Sequence, residues 1–165
     1  MQTNEFDYEL PQELIAQHPL EKRDHSRLLV LDKETGAVTH KHFNEIGEYL
    51  VPGDVLVINN TKVIPARLFG VKKGGTAHIE VLLIKPAAGM EDCWEVMVRP
   101  GKRVKTGAEI IFGDGRMTGE IVAETSVGRI IHFSYEGIFN EILDELGTMP
   151  LPPYITEKLD DQSRY

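Results

Sequence analysis

Several polar and charged side chains that could bind a ligand follow an apolar segment near the middle of the chain. Two amides, a hydroxyl and an ammonium come directly after this segment, and a guanidinium follows five residues later: Asn59, Asn60, Thr61, Lys62 and Arg67. The apolar segment itself predicts a strand at residues 55–59, of a kind usually buried on both faces. Ligands in open α/β sheets usually bind beyond the carboxyl ends of such strands. These five residues are therefore a candidate binding site.

The chemistry of this candidate site suits a polar, anionic ligand. Asn59 and Asn60 offer paired donors and acceptors for a heterocycle or for sugar hydroxyls, and Thr61 adds a hydroxyl. Lys62 and Arg67 can bind a carboxylate or a phosphate, and Arg can do so in bidentate fashion. A turn between domains, in which the asparagines cap loose backbone groups, explains the same residues equally well. The residues alone leave both interpretations open.

Common catalytic and cofactor motifs are missing from the sequence. No glycine-rich dinucleotide loop follows a strand, and there is no Walker loop or His-Glu-x-x-His motif. His40 and His42 lack a third metal ligand nearby, so we interpret them as surface histidines. Cys93 has no base close to it in sequence and is expected to be a packed or half-exposed thiol, not a nucleophile. We therefore expect no metal site and name no catalytic residue.

Hydrophobic patterning predicts two kinds of structure. Helices are expected at 11–17, 43–50 and 137–146, and strands at 27–32 and 37–43. After Lys62, five or six short segments alternate with a period of two between glycine turns, which is typical of a small antiparallel barrel or sandwich. The predicted fold is an α/β domain, incomplete here and built from 1–61 and 136–165, with an inserted all-β small antiparallel barrel at 62–135. The polar end at 158–165 has no terminating element, so we expect the chain to be a portion of something longer.

Composition and charge narrow the function classes. The chain has 165 residues, a single cysteine and a net charge of −8. The single cysteine permits no internal disulfide, so we expect a reducing, cytoplasmic setting. The N-terminus lacks the features of a signal peptide, and no apolar run approaches the ~20 residues of a membrane span. Residues 62–105 nevertheless hold nine Lys or Arg and four Asp or Glu, a net +5, which leaves −13 for the remainder. This segment is either an ordinary solvated surface or a face that contacts phosphates.

Four ordered stretches resemble one family. Residues 59–70, NNTKVIPARLFG, resemble the signature of the S-adenosylmethionine:tRNA ribosyltransferase-isomerases. The opening FDYELP with LIAQ, the segment SRLLVLD at 26–32 and the proline-rich LGTMPLPPYI at 146–155 resemble the family as well. Asp161, Arg164 and Tyr165 resemble the start of its next block. The resemblance runs through nearly the whole chain.

The resemblance implies an enzyme of queuosine biosynthesis. Such enzymes transfer and isomerise the ribosyl moiety of S-adenosylmethionine onto 7-aminomethyl-7-deazaguanine at the tRNA wobble position. Epoxyqueuosine forms, and adenine and methionine leave. The resemblance also implies an α/β domain with an inserted barrel, no cofactor besides the substrate S-adenosylmethionine, no membrane partner and a monomer. Members of the family are longer than this chain, so its activity alone is a separate question.

With the resemblance in hand, the position of the polar residues at a strand end and domain junction, and the basic face of the barrel, lead to hypotheses for two sets of site residues. Asn59, Asn60 and Thr61 are expected to orient the ribose or a base edge, and Lys62 and Arg67 to bind the methionine carboxylate or an RNA phosphate. Three further residues in matching blocks are expected to bind substrate: Arg27, Arg164 and Tyr165. Without the resemblance, the last two would be interpreted as part of a solvated tail. The basic face of the barrel is expected to hold the tRNA anticodon arm through Lys72, Lys73, Lys102, Arg103 and Lys105.

Other function classes stay open. Small β-barrels often bind RNA without catalysis, although this one lacks an evident run of exposed aromatic residues for base stacking. The chain could also be an inactive fragment of the enzyme, or a scaffold in which the asparagine pair forms a hinge. Release of adenine from S-adenosylmethionine in the presence of precursor tRNA separates these hypotheses.

Overall fold

The computed structural model describes residues 2–157, 161 and 164, and within them the chain forms two compact units. The first unit is built from Met1–Thr61 and Pro152–Arg164, and the second from Lys62–Leu151. In the described residues the first unit has one antiparallel hairpin, and the second has a closed barrel and one α-helix.

The hairpin of the first unit pairs β1 (Arg27–Leu31) with β2 (Val38–His42). Its turn is held by Asp32, whose carboxylate accepts the backbone N–H of Thr35 at 2.7 Å. Gly36 sits at φ +71°, where glycine is favoured. The hydrogen bonds from Thr35 hold the pKa of Asp32 below its usual value. The other regular elements of this unit are 3₁₀ helices: Thr3–Phe6, Gln12–Leu14, Arg23–His25 and Phe43–Tyr49.

The α/β class of the first unit is not confirmed. The helices predicted at 11–17 and 43–50 are present as the short 3₁₀ helices Gln12–Leu14 and Phe43–Tyr49, and the described part of this unit has no α-helix. A proline follows each segment, Pro19 after the first and Pro52 after the second, and short segments that are stopped in this way commonly close as 3₁₀ turns.

The strand predicted at residues 55–59 is wrong. The described residues contain no strand there, and the side chains of Val55 and Val57 are 85% and 87% exposed. A strand needs a neighbour for its backbone hydrogen bonds, but β1 and β2 pair with each other alone. The apolar pattern is therefore present without a partner to bury it.

The second unit is a closed six-stranded antiparallel barrel, which confirms the predicted small antiparallel barrel. Its strands are β3 (Arg67–Lys72), β4 (His78–Pro86), β5 (Cys93–Arg99), β6 (Glu109–Phe112), β7 (Met117–Glu124) and β8 (Arg129–Tyr135). They follow one another around the barrel in the order β3, β4, β5, β8, β7, β6, and β6 closes onto β3.

Alternate residues of each strand fill the barrel. In β4 the inward residues are buried, as their period predicts: Ile79, Val81 and Leu83. The predicted helix at 137–146 is α1 (Phe139–Leu146), which adds Ile142 and Leu143 to the same core. The domain boundaries at 61 and 136 stay a prediction.

Candidate functional site

The polar residues at 59–61 form a local turn. The side-chain oxygen of Asn59 accepts the backbone N–H of Thr61 at 2.8 Å and its hydroxyl at 2.5 Å. These bonds use the acceptor end of Asn59 and leave its amide N–H₂ available. The side chains of Asn60 and Lys62 are exposed and make no hydrogen bond to the described part of the chain. The predicted turn and the predicted ligand donors are therefore compatible with each other.

Arg67 is fixed at the start of the first barrel strand. Its backbone N–H donates to the carbonyl of Thr148 at 3.1 Å, and the N–H of Thr148 donates back at 2.8 Å. Gly147 makes this approach possible, because a Cβ there would lie 2.1 Å from the carbonyl oxygen of Pro65. The proline-rich segment 146–155 is thus hydrogen-bonded to the strand at Arg67.

The side chain of Arg67 is oriented by Glu80, a residue that sequence analysis missed. Nε of Arg67 lies 3.2 Å from Oε1 of Glu80, and both side chains are about 30% exposed. The angle does not make this ion pair a hydrogen bond, so the buried Nε has no hydrogen-bond partner among the described residues. The terminal nitrogen atoms make no hydrogen bond to the described residues either. An anion could therefore bind them in bidentate fashion.

The barrel brings the five residues predicted to bind tRNA into one groove of about 660 Å³. Their side chains come from the end of β3, from the following turn and from the segment between β5 and β6, where residues 101–103 form the short 3₁₀ helix Gly101–Arg103. These lining residues are Lys72, Lys73, Lys102, Arg103 and Lys105. These residues come from separate segments of the sequence, and the fold brings them together into one cationic site.

One ion pair and one hydrogen bond engage two of the cations in this groove. Lys73 pairs with Glu109, with Nζ 2.6 Å from Oε2, and Lys72 donates to the carbonyl of Arg103 at 3.0 Å. Five cations and one carboxylate line the groove, a formal +4. The side chains of Lys102 and Lys105 form no ion pair with the described residues. A groove of this kind suits a polyanion.

The other predicted substrate residues are not gathered in this way. Arg27 begins β1 and is exposed, without an ion pair in the described residues. Arg164 donates through Nη1 to the carbonyl of Glu21 at 3.0 Å and through Nη2 to that of Leu20. Two of the N–H groups of its guanidinium are therefore already hydrogen-bonded to the backbone of its own unit. Tyr165 lies outside the described residues.

A second titratable pair lies on the barrel. The phenol of Tyr135 donates to the carboxylate of Asp92 at 2.5 Å, and this bond, with partial burial, raises the pKa of Tyr135 to about 12. The Tyr135 ring also packs against that of Phe139, with centroids 5.2 Å apart. Burial raises the pKa of the Cys93 thiol as well. A buried thiol of raised pKa is a poor nucleophile, which agrees with its predicted packing role.

The histidines and the helices give no further site. His42 caps the 3₁₀ helix Phe43–Tyr49: its side chain accepts a hydrogen bond from the backbone N–H of Glu45. The Glu45 carboxylate in turn accepts the backbone N–H of His42 at 2.6 Å. Within residues 2–157, 161 and 164, no three metal-ligating side chains come together. No helix in that part of the chain has the length and apolar character to cross a bilayer.

Comparison with known proteins identifies close relatives. A family described as queuosine biosynthesis protein matches residues 3–165. Two curated proteins, both called S-adenosylmethionine:tRNA ribosyltransferase-isomerase, match the entire chain: one from Carboxydothermus hydrogenoformans at 58% identity and one from Acetivibrio thermocellus at 55%. The chain spans about half the length of these relatives, 48% of each.

A solved structure is also similar in sequence. It is the crystal structure of an S-adenosylmethionine tRNA ribosyltransferase from Thermotoga maritima, 44% identical, with a TM-score of 0.41. The similarity covers 87% of this chain and 48% of that one.

Proposed function

The chain belongs to the queuosine biosynthesis protein family, and we propose that it forms part of an S-adenosylmethionine:tRNA ribosyltransferase-isomerase. The observation that carries this proposal is 58% identity over all 165 residues to a protein of that name. In this reaction the ribosyl moiety of S-adenosylmethionine is transferred to 7-aminomethyl-7-deazaguanine in tRNA and isomerised, giving epoxyqueuosine. Adenine and methionine leave, and the enzyme works in the cytoplasm.

The chemistry divides into groups the chain supplies and one it leaves unassigned. A base must remove a proton beside the sulfonium, whose positive charge acidifies that position. No residue is assigned to this step here. Asn60, with the free amide of Asn59 and the hydroxyl of Thr61, orients the ribose or a base edge through hydrogen bonds. Arg67, oriented by Glu80, binds the methionine carboxylate or an RNA phosphate.

The basic groove binds the tRNA. Its formal charge of +4, in a chain whose net charge is −8, concentrates attraction for a polyanion at one place. The same observation favours the second candidate function, a non-catalytic RNA-binding barrel. The two candidates share the groove and differ in whether S-adenosylmethionine is consumed.

The first unit becomes an α/β domain when the remaining half of the relatives' length is present. The exposed apolar residues 55–58 supply the reason, because such a segment is stable as a strand only beside a partner. In this proposal the added half supplies that neighbour and helices of the domain. The complete enzyme is a monomer.

Adenine release tests the proposed reaction. The chain and a version extended to the relatives' length are each incubated with S-adenosylmethionine and tRNA carrying the precursor base, and free adenine is quantified. We expect the extended protein to release adenine with this tRNA and not with tRNA that carries unmodified guanine. Adenine release by neither protein would leave the RNA-binding barrel as the better account.

A further inference from the structure

The outer surface of β3, β4 and β5 carries an exposed aromatic ring that the function above does not use. The strand register places Phe69 opposite Glu80, and Glu80 opposite Arg99, in one row. The adjacent row consists of Arg67, Leu82 and Met97. We call these six outward residues the β3–β5 face.

The apolar part of this face is open to solvent. Phe69 is 58% exposed and Met97 50%, whereas the next residues of β3 on either side, Leu68 and Gly70, are buried in the barrel. An aromatic ring left in solvent on a regular strand has its apolar area available to a ligand or a partner. The ring offers its π-face to such a ligand.

The charges of the face are unequal. Glu80 is balanced by Arg67 through their 3.2 Å ion pair. Arg99 is exposed and forms no ion pair within the described part of the chain. The surplus charge on the face is therefore one guanidinium. It shares a row with the exposed ring, with Glu80 between them, and lies on the same strand as the thioether of Met97.

Two strands lead from the face to the basic groove. Strand β3 runs from Phe69 to Lys72, a groove residue, over about 10 Å at the rise of a strand. Strand β5 ends at Arg99 and continues through Pro100 into the groove helix Gly101–Arg103. A single RNA strand bound in the groove can therefore reach Phe69.

We propose that an unpaired nucleotide of the tRNA stacks its base on Phe69 and places its phosphate against Arg99. The identification of the RNA as tRNA rests on the proposed function, whereas the stacking site itself rests on the face and on the two strands that lead from it to the groove. Exposed aromatic rings beside cationic tracks are how proteins hold single-stranded nucleic acid, because every base has a π-face. The surplus positive charge favours this occupant over a protein surface.

The test measures RNA binding and stacking separately from catalysis. An anticodon stem-loop RNA is made with 2-aminopurine at each loop position in turn, and its affinity and fluorescence quenching are measured with the 165-residue chain. Phe69→Ala should weaken binding about 5- to 100-fold and abolish quenching at one position. Phe69→Tyr should restore both, and Arg99→Ala should weaken binding and lower the salt dependence.

A control variant and two contrary results make the stacking proposal testable. Val127→Ala removes a comparably exposed side chain, 57%, from the turn between β7 and β8, and should leave binding unchanged. Unchanged affinity and quenching in Phe69→Ala would overturn the proposal. So would a dimer of the unaltered chain that Phe69→Ala dissociates with RNA affinity intact, since the face would then be a protein interface. Adenine release is measured in a separate assay. Absent stacking with intact adenine release would overturn the stacking proposal alone, whereas intact stacking without adenine release would overturn the proposed reaction alone.

Discussion

Nε of Arg67 lies 3.2 Å from Oε1 of Glu80 on the outside of the barrel. The backbone of Arg67 is at the same time bonded in both directions to Thr148. A guanidinium fixed at its main chain and oriented at its side chain loses little further freedom when it binds an anion, which is the condition for a tight binding group.

Replacement of Arg67 should therefore impair the extended enzyme. We expect Arg67→Ala to lower kcat/KM about 10- to 100-fold, because a charge-assisted hydrogen bond to the substrate is removed. Arg67→Lys keeps the charge without the planar fork and should be intermediate. Arg116→Ala is the matched control, since Arg116 forms a similar ion pair with Glu145 at 3.3 Å on the same unit. Equal kinetic constants in Arg67→Ala and the control would exclude a role in binding.

The groove should be the main electrostatic binding surface for tRNA. Reversing Lys102, Arg103 and Lys105 to Glu should weaken binding and reduce the slope of log K against log salt by about 0.7 to 0.9 for each phosphate that the protein no longer neutralises. Lys33→Glu, at a side chain 90% exposed in the hairpin turn, should change neither quantity appreciably. An unaltered salt slope in the groove variant would remove tRNA from this surface.

Stability at high pH should depend on Tyr135. Its pKa is raised to about 12 from an ordinary value of 10, chiefly by the hydrogen bond to Asp92, so the folded state holds the phenol proton more tightly than the unfolded state does. The resulting stabilisation is complete below pH 10 and is lost as the pH rises towards 12. The Tm of Tyr135→Phe should consequently fall less steeply than that of the unaltered chain across this window. Parallel Tm curves would show that the hydrogen bond contributes nothing.

Residues 55–58 should become buried only in the longer protein. Val57 is 87% exposed here, so Val57→Asp should leave the Tm of this chain nearly unchanged. In the version extended to the relatives' length, the same change should lower the Tm strongly, because an unpaired carboxylate would then be buried. Thermal unfolding of the four proteins measures the difference. Equal effects in both lengths would mean that the segment stays exposed.

The barrel was predictable because its signal is local. Alternation such as that of Ile79, Val81 and Leu83, separated by glycine turns, encodes both strand and facing side. The clustering of basic residues in sequence likewise predicted a cationic surface, although only the fold could show that Lys72 and Lys105 line one groove. Helix α1 followed from its period alone.

The features that sequence did not predict, and the one error at 55–59, depend on distant partners. Residues 55–59 have a strand's composition, but whether they form one depends on a neighbour that the described chain does not provide. The orientation of Arg67 by Glu80 and the row that joins Phe69 to Arg99 need the strand register, which hydrophobic period does not fix. Arg164 was expected to bind substrate, a role that stays a prediction, while its guanidinium bonds the carbonyls of Leu20 and Glu21.

The fate of the ribosyl carbons tests the central claim most directly. S-adenosylmethionine labelled with ¹³C in its ribose, and separately in its methyl group, is incubated with the extended protein and precursor tRNA, and the nucleosides of the tRNA are analysed by mass spectrometry. We expect ribose label in the wobble nucleoside and no methyl label. Methyl label in the tRNA, or an unlabelled wobble nucleoside despite bound tRNA, would show that the ribosyl moiety is not transferred.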